Sequence, residues 1–274
     1  MSNIKNAFQN GKAFIAFLTA GDPNADKTVE YILEMEKAGA DLVEIGIPFS
    51  DPTAEGVVIQ EANIRALGAG MTTDGVFDIV RRVREKSRIP LVFLTYLNPV
   101  FHYGYDRFFE KCGELSVDGI IIPDLPFEEK GELAPAATAH GVDLISMIAP
   151  TSKERIRKIA SQAAGFLYIV SSMGVTGVRS EITTDLGAIV KEIREVTDVP
   201  CAVGFGISTP DQARQMAALS DGAIVGSAIV KIIAEKGGQA GEALAEYVSK
   251  MKAGVCAARD CLYTHLTLPT IYSV

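Results

Sequence analysis

The chain has 274 residues, 48% of them hydrophobic, and a formal net charge of −8. That length allows one barrel-sized core or two small ones, and the acidic balance argues against a nucleic-acid partner, which selects for a basic face. No apolar run approaches the roughly 20 residues of a membrane span, and the opening MSNIKNAFQNGK lacks the apolar core of a signal peptide, so no membrane and a cytoplasmic location are expected.

From residue 13 onward, short β-type apolar runs alternate with amphipathic stretches. Residues 13–18 form the first run and end in Thr19-Ala20-Gly21-Asp22-Pro23, where Asp22 before Pro23 reads as a turn or cap residue. Residues 25–38 keep a 3.6-residue period through Val29, Ile32 and Leu33. The second run, 42–45, is interrupted by Glu44 and opens into a loop, GIPFSDPTAEG, that carries Asp51 and Glu55. A carboxylate inside an apolar strand is costly to ionise. Glu44 is therefore either paired for structure or kept there to exchange protons.

Residues 73–86 read as helix, and the run 91–95 then delivers Thr95, Tyr96 and Asn98-Pro99. After a helical stretch at 106–115, the run 119–122 delivers Pro123-Asp124-Leu125-Pro126. Tyr96 and Asp124 fit core or turn roles as well as hydrogen bonding to a loop acid or a substrate. Helical stretches at 128–140, 153–162, 184–196 and 209–218 separate the runs 143–148, 166–170, 201–204 and 222–225. Several of the helices open on Ser, Thr or Asp, which serve as N-caps. The sixth run leads into SSMGVTGVR, a polar, glycine-containing stretch of the kind that forms a lid, with Thr176 placed to close on Glu55. The last two runs end in Gly204-Phe205-Gly206-Ile207-Ser208 and Gly226-Ser227-Ala228. Backbone N–H groups at such small residues and at a helix start form an anion-sized nest, which predicts a phosphate site.

Eight such units with no dividing linker predict an α/β fold, a single (β/α)8 TIM barrel with an extra N-terminal helix; an open doubly wound sheet shares the alternation. In both, functional groups collect at the C-terminal ends of the strands. The chemistry is narrowed by residue type. Lys86, Lys111, Lys153, Lys158 and Lys191 lie in polar helical stretches, not at strand ends where a Schiff-base aldolase needs its lysine. His102, His140 and His265 are widely separated, so no metal is expected. Cys112, Cys201, Cys256 and Cys261 lack CxxC spacing and read as reduced thiols. No strand-linked dinucleotide or nucleotide motif is present. Proton transfer by carboxylates on a small phosphorylated substrate remains.

Together LVEIGIPFSDPTAEG, GVTG after the sixth run, GFGIS and VGSAIVK closely resemble the tryptophan synthase alpha subunit family, over residues 1–253. The resemblance implies a barrel lyase that cleaves indole-3-glycerol phosphate to indole and glyceraldehyde 3-phosphate. Indole would pass to a beta subunit within an alpha2beta2 tetramer. No cofactor is implied in this chain; pyridoxal phosphate belongs to the beta partner. By the same resemblance Glu44 and Glu55 are the catalytic pair, Glu44 protonating the indole carbon and Glu55 holding the indole N–H. Which carboxylate removes the glycerol hydroxyl proton stays open. Phe17, Leu94, Leu125 and Tyr168 would enclose the ring. Gly177, Gly206, Ile207, Gly226 and Ser227 would contact the phosphate, with Phe205 also counted in the substrate site. Thr176 would close on Glu55, and Pro48 and Asp51 would face the beta subunit.

Three departures from the family pattern stand out. Glu55 replaces the usual Asp, and Val57 stands where proline is usual, which frees a fixed φ and loosens the loop. Residues 254–274 have no family counterpart and read as a disordered or read-through extension. Two competing readings are a non-catalytic subunit that regulates the beta chain and a stand-alone phosphate-binding barrel lyase or isomerase.

Overall fold

The structure is a computed structural model that describes residues 2–170, 179–204 and 206–258. The strands are β1 (Ala13–Thr19), β2 (Leu42–Gly46), β3 (Leu91–Leu94), β4 (Gly119–Ile121), β5 (Asp143–Ile148), β6 (Leu167–Val170), β7 (Cys201–Gly204) and β8 (Gly222–Val225). Each pairs in parallel with the next, and β8 returns to β1, closing the barrel. Closure selects the (β/α)8 architecture over the open sheet.

The helices are α1 (Asn6–Gln9), α2 (Ala25–Lys37), α3 (Val57–Gly68), α4 (Thr73–Arg84), α5 (Leu97–Tyr103), α6 (Tyr105–Glu114), α7 (Ala134–Ala139), α8 (Lys153–Ala160), α9 (Arg179–Arg194), α10 (Pro210–Leu219), α11 (Ser227–Lys236) and α12 (Gly241–Ala257). Local chemistry sets their starts. Asn24, Thr72 and Ser152 accept backbone N–H bonds as N-caps of α2, α4 and α8, and Thr209 with Gln212 forms a capping box ahead of Pro210.

The strands are apolar on both faces because both are covered. Ile15, Leu42, Val92, Ile121, Ile145, Ala202 and Ile224 fill the barrel interior, while Phe14, Val43, Phe93 and Val203 pack beneath the helices. α1 is the expected extra helix: Ile4 and Ala7 join the interior cluster, and the Phe8 and Phe166 rings approach to 6.1 Å.

The structure adds α3, α5 and α11 to the helices expected. The stretch 128–140 is broken into a 3-10 segment, Phe127–Glu132, and α7, with Gly131 and Pro135 at the break. α12 runs past residue 253 to Ala257, with Val255 and Ala258 buried, so the barrel's last helix includes the start of the stretch expected to be an extension. Residues 259–274 lie outside the described residues. No helix among the described residues is long and apolar enough to cross a membrane.

Candidate active site

Glu44 sits mid-strand on β2, in register with Phe17 on β1 and Val92 on β3. Strand alternation turns it into the barrel on the face of Leu42. The side chain is 1% exposed and its Oε1 has no hydrogen-bond partner among the described residues. Burial alone pushes its carboxyl up to about 8. Of the two sequence readings, pairing is not seen among the described residues, and a carboxyl held near 8 carries its proton around neutral pH.

Its neighbours are arranged by glycines. The Phe17 ring lies over Gly46, where an added Cβ would be 2.8 Å from Cζ, and beside Gly226, where it would be 3.2 Å from Cδ1. On β6, Tyr168 leans over Gly204, the position at which a Cβ would lie 2.6 Å from its Cζ. Burial, and then the charge of Glu44, hold the Tyr168 phenol above its ordinary range.

Glu55 lies just ahead of α3 and is half-buried. Burial raises its carboxyl, opposed by Asn63, whose Nδ2 donates to Oε2 at 2.7 Å. Asn63 is itself 4% exposed and projects from α3, so it fixes one oxygen of Glu55. The Ala54 N–H donates to the Tyr96 hydroxyl at 2.9 Å, pinning the loop one residue before the acid. Tyr96 thus bonds the loop backbone, not the loop acid. Val57 is the first residue of α3, after the N-cap Gly56, and is 66% exposed. Proline is favoured at that position, since its fixed φ suits a helix start and its missing N–H is not needed there.

Phe17, Glu44, Leu94, Tyr168, Leu125 and Glu55 line one cavity of about 1120 Å³. Gly206, Ile207, Gly226 and Ser227 line it on the β7–β8 side. There Ser227 opens α11, and among the described residues no side chain caps the first backbone N–H groups of that helix, the groups that suit an anion. Gly206 has φ +75°, the left-handed conformation that suits glycine. Thr176, Gly177 and Phe205 lie outside the described residues, and with them the Thr176–Glu55 contact. Of the two residues expected at a partner face, Asp51 is exposed and Pro48 is buried within the chain.

The other strand-end acids have structural partners. Asp22, 2% exposed, accepts from Arg65 Nε at 2.9 Å and Nη2 at 2.8 Å. Asp124 Oδ1 accepts from the Leu97 N–H at 2.9 Å, at the start of α5. Among the described residues no His, Cys, Asp and Glu cluster is placed to hold a metal ion.

Sequence reading missed four residues here. Asn63 and Arg65 belong to α3, which was not expected. Lys130 and Lys231 both line the cavity, although the lysines weighed from sequence included neither. Lys231 falls within the VGSAIVK motif, one turn into α11, so its position was available from the sequence.

The family model of the tryptophan synthase alpha chain matches residues 2–256. The chain is 49% identical over 260 residues to the tryptophan synthase alpha chain of Lacticaseibacillus casei, covering 95% of this chain and 98% of that one. Among solved structures, tryptophan synthase subunit alpha from Legionella pneumophila superposes with a TM-score of 0.85 at 36% identity, covering 94% of this chain and 99% of the other. A chain of the tryptophan synthase a2b2 complex from Pyrococcus furiosus superposes with a TM-score of 0.81 at 36% identity, covering 89% and 99%.

Proposed function

This chain belongs to the tryptophan synthase alpha chain family, and from that membership we infer that it is the lyase that cleaves indole-3-glycerol phosphate to indole and glyceraldehyde 3-phosphate. The observation that carries the assignment to this site is Glu44: a buried acid with an unpartnered oxygen, protonated near neutrality, in a cavity shared with Glu55 and with the small-residue ends of β7 and β8.

Glu44 delivers its proton to C3 of the indole ring. Positive charge then develops toward the ring nitrogen, and Glu55, oriented by Asn63, accepts the indole N–H and stabilises that charge. The bond between C3 and the first glycerol carbon breaks; its electron pair returns to the ring as neutral indole, and the adjoining hydroxyl becomes the aldehyde. Glu44, now an anion in a site that disfavours charge, takes the hydroxyl proton and returns to its starting state. Protons and atoms balance. The ring itself is the electron sink, so this route uses no lysine, metal or cofactor from this chain.

Phe17, Leu94, Leu125 and Tyr168 hold the ring. Gly206, Ile207, Gly226 and Ser227 hold the phosphate with backbone N–H groups, joined by Gly177 and Phe205, and Thr176 closes on Glu55. The partner is a beta subunit in an alpha2beta2 assembly, supported by the likeness to the a2b2 complex chain. Indole passes to that subunit, where pyridoxal phosphate does its chemistry, and the exposed loop around Asp51 lies on the shared face, with Pro48 shaping it from beneath. A cytoplasmic location fits this biosynthetic step. The test is indole release from indole-3-glycerol phosphate by the purified chain, with and without a beta subunit. Slow release alone and faster release with the partner are expected; no release in either condition overturns the assignment.

A further inference from the structure

Strand alternation divides the cavity into two regions. On β4 and β5, Ile121, Ile145 and Met147 face the barrel interior with Tyr168. Ile120, Leu144 and Ser146 point the other way, toward the covering layer of α8 and the 3-10 segment Phe127–Glu132. Residues of both faces nevertheless line the same cavity. It therefore passes over the strand ends into an outer lobe walled by Ile122, Leu144, Phe127 and Ile159. The whole, at about 1120 Å³, exceeds the 300–1,000 Å³ typical of a small-molecule site.

Among the polar residues that line this side of the cavity, Arg155 is paired with Glu128, and Lys130 with Ser146 forms a second polar pair. Lys130 Nζ donates to Ser146 Oγ at 2.8 Å and lies 5.7 Å from the centre of the Phe127 ring. Ser146 is 5% exposed. Among the described residues no carboxylate lies within ion-pair distance of Lys130. The nearby acid Glu128 is engaged instead by Arg155 at 2.9 Å and Lys158 at 3.6 Å. Burial lowers the Lys130 ammonium below its ordinary range, in keeping with a cation held without a counter-ion. A partly buried, uncompensated cation beside a hydroxyl and branched apolar walls suits a singly charged acid carried on a flat ring. A phosphate dianion would lose far more hydration for a single ammonium.

We infer that this outer lobe is a second binding site, for a small aromatic carboxylate, with the acid on Lys130 and Ser146 and the ring against Ile122, Leu144, Phe127 and Ile159. The lobe opens from the cavity that holds Glu44 and Glu55 but uses none of the residues assigned to cleavage.

The probe is naphthalene-2-carboxylate, titrated calorimetrically into the full chain, with naphthalene-2-carboxamide as the uncharged counterpart. Lys130→Met removes the cation, and Ser146→Phe fills the lobe from its wall; circular dichroism confirms that each variant is folded. Expected are saturable binding of the acid, at least tenfold weaker binding of the amide, and at least tenfold loss of acid binding in both variants. Absence of binding, equal affinity for acid and amide, or undiminished affinity in Lys130→Met overturns the site.

Discussion

Replacing Glu44 by Gln keeps the side-chain shape and removes the titration, and the consequence for stability is calculable. The carboxyl ordinarily titrates at 4.5 and in the fold at about 8. Between these values the folded chain holds a proton that the unfolded chain has released, so stability falls as pH rises. The slope is about 1.4 kcal/mol per pH unit, some 5 kcal/mol over the whole window. Below pH 4.5 both states are protonated and above about 8 both are ionised, so the dependence is flat outside the window. The Gln variant carries a pH-independent offset from burying an amide, and the other titrating groups are common to both chains. The difference in unfolding free energy between variant and wild type therefore isolates Glu44. It should grow in favour of Glu44→Gln by about 2–3 kcal/mol from pH 5.5 to 7.5. Urea unfolding of both chains across that range, with a further point near pH 9 where the difference levels off, reads it directly. A difference that stays constant across the range would refute the claim that burial holds Glu44 protonated.

Asn63→Leu removes the donor on Glu55 Oε2. A hydrogen bond to a charged group contributes about 1.5–3 kcal/mol, so kcat/KM for indole-3-glycerol phosphate should fall roughly ten- to hundredfold with the barrel intact; unchanged kinetics would show that Asn63 does not orient the acid. Gly204→Ala places a Cβ against the Tyr168 hydroxyl and 2.6 Å from its Cζ. The ring must move, costing about 1–3 kcal/mol in urea unfolding and disturbing the indole wall, and a neutral result would contradict that packing. Asp22→Ala breaks the two-bonded pair with Arg65, of which the acid is buried and the base is 37% exposed. Discounted for that exposure, the loss should be about 2 kcal/mol, below the 3–5 kcal/mol of a fully buried pair.

The barrel was legible because the strands are covered on both sides and so appear as largely apolar runs between amphipathic stretches. The same continuity exposed Glu44, the residue that violates it. α3 was hidden by composition: VVIQEANIRALG follows a loop dense in Pro, Gly and acids, and its buried side includes Asn63 among small and branched residues. With α3 went Asn63 and Arg65, since neither has meaning until that helix is laid against β1 and the loop. Lys130 was hidden differently. It sits in a stretch read as regular helix, whereas Gly131 and Pro135 mark the break at which a 3-10 segment ends, and that segment carries the lysine over the outer face of β5. Its link to Ser146 spans 16 residues and belongs to tertiary packing alone.

The central claim is that Glu44 supplies the proton that breaks the carbon–carbon bond. Its most direct test is indole release from indole-3-glycerol phosphate by Glu44→Gln in the presence of saturating beta subunit, with substrate affinity measured in parallel. Affinity should stay within about threefold of wild type, and release should slow by at least the 10²–10⁴ typical of a lost general acid. Release at the wild-type rate would contradict that role for Glu44.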